Sequence, residues 1–144
     1  MEKIKISHLL FSGLLAAFAF LIAEFIIEGL VKVIFNFNEV DLAREYFPGI
    51  ILNGARYQIV NICYLICICI ATIWLYTSLI PKFGKGFKTA LIASSFVIII
   101  IFLFMVNHIN MGIFPFKPAL ISFAFSIIEF PFAIVAGASV YKSE

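Results

Sequence analysis

Ile73-Trp74-Leu75-Tyr76-Thr77-Ser78-Leu79-Ile80-Pro81-Lys82-Phe83-Gly84-Lys85-Gly86-Phe87-Lys88-Thr89-Ala90-Leu91 is the stretch whose reading decides the fold. One long apolar run ends inside it and another begins, and a short basic turn with two glycines lies between them. Pro81 lacks a backbone donor and is expected to end the incoming helix, while Gly84 and Gly86 supply the reversal. Two hydrophobic segments stand on each side of the turn. The pattern is that of a cytoplasmic hairpin at the centre of an all-α, four-helix polytopic membrane protein.

Composition agrees. Of 144 residues, 64% are hydrophobic and 12% charged, against roughly 45–50% and about 25% in soluble domains, and mean hydropathy is +1.15. No polar tract is long enough to fold alone, so residues 1–144 read as a single transmembrane domain. The net charge of +2 is too small and too scattered to suggest nucleic acid. Cys63, Cys67 and Cys69 share one apolar run with no CxxC spacing and no nearby histidine. They read as small apolar residues, and no disulfide, metal site or cofactor is expected.

Outward from the turn, the spans fall at about residues 57–80 and 89–106, flanked by 6–35 and 119–141. The first follows Lys3 and Lys5 as a signal peptide would, but it continues well past Ala17-Phe18-Ala19, so a retained helix is expected. It exceeds the ~20 residues that a span requires, which implies tilt or an outer end projecting past the hydrocarbon. In the 36–56 connection Asn38 is placed to cap a short interfacial helix over Glu39 to Phe47. Val40, Ala43 and Phe47 would face the membrane, Glu39, Asp41, Arg44 and Glu45 would face water, and Pro48-Gly49 would stop it. Trp74 and Tyr76 suit the aromatic belt at the end of the second span. Asn107, His108 and Asn110 mark the exit of the third, and Pro115 and Pro118 bracket the loop before the fourth.

The basic residues set the orientation. Lys3, Lys5, Lys82, Lys85, Lys88 and Lys142 lie on one side, and Lys32, Arg44, Arg56 and Lys117 on the other. The expected location is a bacterial inner membrane with both termini cytoplasmic. A faint echo links the two hairpins: Ala71 precedes Tyr76 by five residues at the end of the second span, as Ala136 precedes Tyr141 at the end of the fourth.

Polar residues inside lipid cost roughly 2.5–3.5 kcal/mol per charge on insertion scales, so their placement is informative. Glu24, Glu28 and Lys32 share a helical face that Gly13 and Ala17 continue. Ser122, Ser126, Glu129, Ala133 and Gly137 form a stripe on the fourth span, with Phe130 assigned to the lipid side. Gln58, Asn61, Leu65, Thr72 and Tyr76 form a weaker stripe on the second. Small residues at this spacing let helices approach, and polar ones hydrogen-bond across the contact. Glu24 and Glu129 fall at similar depth. They suggest either a proton- or cation-binding site between the first and fourth spans, with Glu28 beside it, or hydrogen-bonding glue between helices. Arg56, Asn61 and His108 are the candidate partners. Pro131 is expected to kink the helix beside Glu129. The three lysines of the turn read as a topology signal in contact with anionic lipid. Gly84-Lys85-Gly86 has neither the spacing nor the context of a nucleotide-binding loop.

Trp74-Leu75-Tyr76, Pro81-Lys82-Phe83-Gly84-Lys85-Gly86 and Lys88-Thr89-Ala90-Leu91 together resemble the central signature of a family of small, uncharacterised bacterial four-span membrane proteins. The resemblance implies a fold and a location, with Glu24, Glu129 and Tyr141 at the matching positions. This chain departs from it at Lys82 and Lys85, where Arg and Pro are commoner, and at Phe87, where Pro is common. Ile22-Ala23-Glu24 followed by Lys32 resembles the first helix of small multidrug resistance transporters, in which a membrane glutamate exchanges protons for cations. The Trp/Tyr-bearing third span of that family is missing here. Four-span glutathione-transferase-like enzymes share the size, but apart from Arg56 and Asn61 their polar array is absent. A non-enzymatic structural or accessory protein, a homo-oligomer or a complex subunit in the bilayer, is therefore expected, with proton-coupled transport as the alternative.

Overall fold

The computed structural model describes residues 6–35, 39–46, 54–113 and 115–141. Among them, five helices follow in order: α1 (Ile6–Phe35), α2 (Glu39–Tyr46), α3 (Ala55–Phe83), α4 (Phe87–Asn110) and α5 (Phe116–Val140). All but α2 are long and apolar enough to cross a membrane. Large apolar side chains such as Phe25, Val33 and Phe104 point outward, which a bilayer solvates and water does not. The protein is an all-α, multi-pass membrane protein of four spans.

The four spans form a ring in which α1 touches α3 and α5, and α4 touches the same two. Backbones approach closely at two glycines. A Cβ at Gly13 would collide with Ile70 Cγ1 and stand 2.9 Å from its Cα, and one at Gly137 would lie 2.6 Å from the Ser12 carbonyl oxygen and 2.7 Å from Ala16 Cβ. Without a side chain at these positions the axes come together, which is how helices gain dispersion contacts when lipid offers no hydrophobic incentive.

The core is confined to the half of the bundle that carries the basic turn. Its members are Ala16 and Ala17 of α1, Cys69, Ile73 and Tyr76 of α3, Ala90 and Ala93 of α4, Phe130, Ile134 and Ala138 of α5, and Tyr141 just beyond it. Tyr76 meets Tyr141 edge-to-face at 6.4 Å, so the two tyrosines of the sequence echo touch. Beyond this half α3 loses its cover. All ten residues from Ala55 to Tyr64 are exposed, on every face of α3.

Three buried hydroxyls are satisfied within their own helices, as suits a dry interior. Thr72 Oγ1 donates to the Ile68 carbonyl at 2.7 Å, Thr77 Oγ1 to Trp74 at 2.7 Å, and Ser94 Oγ to Leu91 at 3.0 Å. Among the described residues, Ser12 Oγ is buried without a partner.

Several expectations need correction. Pro81 does not end α3, which continues to Phe83. One missing N–H in the last turn is tolerated, and the stop falls at Gly84, whose φ of 79° only glycine adopts readily and whose N–H closes on the Ile80 carbonyl at 2.8 Å. Pro118 lies inside the first turn of α5 rather than in the loop, where a missing N–H leaves no ladder bond unmade. Asn107, His108 and Asn110 belong to the last turns of α4, not to a loop beyond it. Tyr76 is 1% exposed and leaves the aromatic belt to Trp74, which is 54% exposed. Phe130 is buried rather than lipid-facing, packed edge-to-face on Phe20 of α1 at 6.4 Å. Helix α2 matches the short helix anticipated in the connection, with Asp41, Arg44 and Glu45 exposed. Asn38, Phe47, Pro48 and Gly49 lie outside the described residues, as do the side chains of Val40 and Ala43.

Candidate functional site

The α1–α5 contact carries the two acids singled out in the sequence. Its register follows from two fixed points, Gly137 against Ser12 and Ala16, and Phe130 against Phe20. Extending this antiparallel register places Glu24 opposite Ser126, about one turn, or ~5 Å along the axis, from Glu129. Glu129 is 5% exposed and Glu24 half-buried, and neither carboxyl lacks a partner. Ala133 and Gly137 continue the Glu129 face into the core. α5 runs unbroken through Pro131, two residues beyond Glu129.

The outer part of both stripes behaves differently. Glu28 and Lys32 are exposed, Ser122 is exposed and Ser126 half-buried, and the Ser126 hydroxyl donates to the Ser122 carbonyl of its own helix at 3.0 Å. On α3, Thr72 and Tyr76 are buried, Leu65 is half-buried, and Gln58 and Asn61 are exposed. The expectation that both stripes turn inward along their whole length therefore holds for Gly13, Ala17, Glu129, Ala133 and Gly137 and fails for Glu28, Lys32 and Ser122.

The three candidate partners separate. Gly13 on Ile70 sets the α1–α3 register, which brings Asn61 near the level of Glu24 and Arg56 near that of Glu28, with Arg56 and Asn61 both exposed. His108 does not join the acids. Phe102 packs on Phe123 at 4.9 Å, so His108 lies about six residues outward of that level and Glu129 about six inward, an axial separation of ~18 Å. The imidazole is held by its own helix instead, with Nδ1 2.8 Å from the Phe104 carbonyl oxygen and the ring 4.1 Å from that of Phe104.

The sequence reading missed two contributors. Ser12 and Ala16 of α1 form the wall facing Gly137, and Thr89, Ala90, Ala93 and Ser94 bury the inner face of α4. The available signal was a shared spacing of small residues, Ser12-Gly13-x-x-Ala16-Ala17 in one helix and Thr89-Ala90-x-x-Ala93-Ser94 in the other. No group of three or more metal-ligating side chains occurs among the described residues. Cys63 and Cys67 are exposed and Cys69 is buried, all as free thiols.

The fold defines a multi-pass membrane protein of four apolar spans, with Glu24 and Glu129 on the adjoining helices α1 and α5. No family model, curated protein or solved structure matches the chain.

Proposed function

We propose that this protein is a non-enzymatic membrane subunit that works by association, and that its partner at the outer part of α3 is a second copy of the chain. The observation that carries this reading is the unbroken exposure of Ala55 to Tyr64, a segment that includes Arg56, Gln58 and Asn61. Amide side chains in a lipid-facing helix favour contact with another helix. Asn61 offers both donors and an acceptor, so it complements itself across a two-fold axis. Arg56 and Glu28, level with each other and both exposed, have opposite charge and can pair reciprocally between copies. The protein is proposed to lie in a bacterial cytoplasmic membrane with residues 82–88 and both termini cytoplasmic, as the basic residues suggest. Single-molecule photobleaching of labelled protein in liposomes tests the association. Two-step bleaching is expected, with Asn61→Leu weakening the dimer by about three- to thirtyfold. One-step bleaching at every protein-to-lipid ratio would end this reading.

A second reading, proton-coupled transport, is favoured by one observation, the buried Glu129 one turn from Glu24 on the adjoining helix. A buried carboxyl on the interior face of a span is the kind of group that marks a proton or cation pathway. Uptake of a lipophilic cation into proteoliposomes under a pH gradient tests it. Uptake abolished by Glu129→Gln supports transport, and its absence in the parent protein removes that reading while leaving association untouched.

A further inference from the structure

A cleft of about 320 Å³ opens at the end of the bundle that carries the basic turn, remote from Glu24 and Glu129. Tyr76 of α3, Lys85 and Gly86 of the turn, Phe87 and Ala90 of α4, and Val135, Ala138 and Ser139 of α5 surround it. None of these is an acid. We propose that this cleft binds the phosphate group of an anionic ligand, either a phospholipid headgroup or free phosphate.

Three features converge on that chemistry. Lys85 brings a cation to the rim, and as an ammonium it suits a compact anion with no required orientation. Next, α4 begins here without a side-chain cap. Gly86 is its N-cap and has no side chain to offer, and the nearby Thr89 hydroxyl donates to the Gly84 carbonyl at 2.6 Å. The first intrahelical bond is Ala90 N–H to the Gly86 carbonyl at 3.2 Å, so the N–H groups of the first turn have no carbonyl of their own helix to bind and present partial positive charge. Finally, Tyr76 is almost wholly buried and lines the cleft, bringing to it a phenol that can donate to an anion. The remaining walls, Phe87, Ala90, Val135 and Ala138, are apolar and suit the glycerol and first methylenes of a lipid.

Native mass spectrometry of the intact protein in a neutral detergent tests the site, with phosphatidylglycerol and diacylglycerol as paired probes that differ in the phosphate-bearing headgroup. Phosphatidylglycerol is expected to bind at least tenfold more tightly than diacylglycerol. Lys85→Ala, at an exposed position that leaves packing alone, is expected to weaken it about tenfold or more, and Tyr76→Phe by several-fold, as loss of a bond to a charged group implies. Lys82 lies over the Phe83 ring, 5.3 Å away, outside the cleft, so Lys82→Ala should cost less than about threefold. A diffuse surface attraction would instead weaken binding about fivefold for either lysine. Displacement of the lipid by millimolar inorganic phosphate would assign the site to the free anion, and resistance would assign it to lipid. Equal affinity for the two lipids, or equal losses from Lys82→Ala and Lys85→Ala, overturns the proposal.

Discussion

Gly137→Ala adds a single methyl group where α1 and α5 come closest. Its carbon would lie 2.6 Å from the Ser12 carbonyl oxygen and 2.7 Å from Ala16 Cβ, whereas carbon atoms rest at about 3.5–4.0 Å. Neither neighbour can rotate away, because one is backbone and the other is fixed to it. The helices must therefore separate by roughly 1 Å, and overpacking of this kind costs about 1–3 kcal/mol. Gly29 is the internal control, since a Cβ there meets nothing within 4 Å. Both alanines gain up to about 1 kcal/mol of helix propensity, so the two should differ by the overpacking cost, about 1–3 kcal/mol. The protein supplies its own reporter. Cys69 is buried while Cys63 and Cys67 are exposed, so with the latter two replaced by serine a thiol-reactive dye reports opening of the core. Dye-detected unfolding of Gly137→Ala should fall about 5 °C or more below that of Gly29→Ala. Coincident curves would show that the α1–α5 contact is not the close approach described here.

Ser12→Ala should leave stability unchanged or raise it by up to about 1 kcal/mol, because it removes a buried hydroxyl that has no partner; a loss above that, in the same dye assay, would reveal an unseen partner. Gly84→Ala should cost about 1–2 kcal/mol, since its φ of 79° strains any residue with a Cβ, and thermal unfolding reads the loss directly. Glu129→Leu should lose about 1–3 kcal/mol by stranding the group that the carboxyl engages, whereas Glu129→Gln should keep most of that stability; equal losses would mean charge, not hydrogen bonding, holds the site. Cysteine probes at positions 85 and 45 should label from opposite faces of the membrane, and labelling of position 85 from outside the cell would reverse the proposed orientation.

The spans were legible because apolar runs bounded by Pro, Gly and Lys are a one-dimensional signal. Helical faces were legible for the same reason: Glu129, Ala133 and Gly137 recur at helix spacing and share the buried side. Periodicity gives the direction of a face, however, and not whether a neighbour stands there. Glu28, Lys32 and Ser122 lie on the predicted faces and are exposed, because whether a face is covered is a property of the assembled bundle. Phe130 shows the converse. It lies about 100° around the helix from Glu129, yet α5 touches three other spans, so its buried arc is wider than one stripe. His108 looked like a partner for the acids only because histidine is rare in lipid; the register between α4 and α5, invisible in sequence, keeps it apart.

The confinement of the core to one half of the bundle has a consequence for the order in which the fold is lost. Packing joins α1, α3, α4 and α5 near the basic turn, whereas the ten residues from Ala55 to Tyr64 are all exposed. Local opening is therefore expected to start at the outer end of α3 and to reach Ile73 and Tyr76 last. Hydrogen exchange of the protein in detergent micelles would display this as faster exchange at residues 55–64 than at residues 69–77.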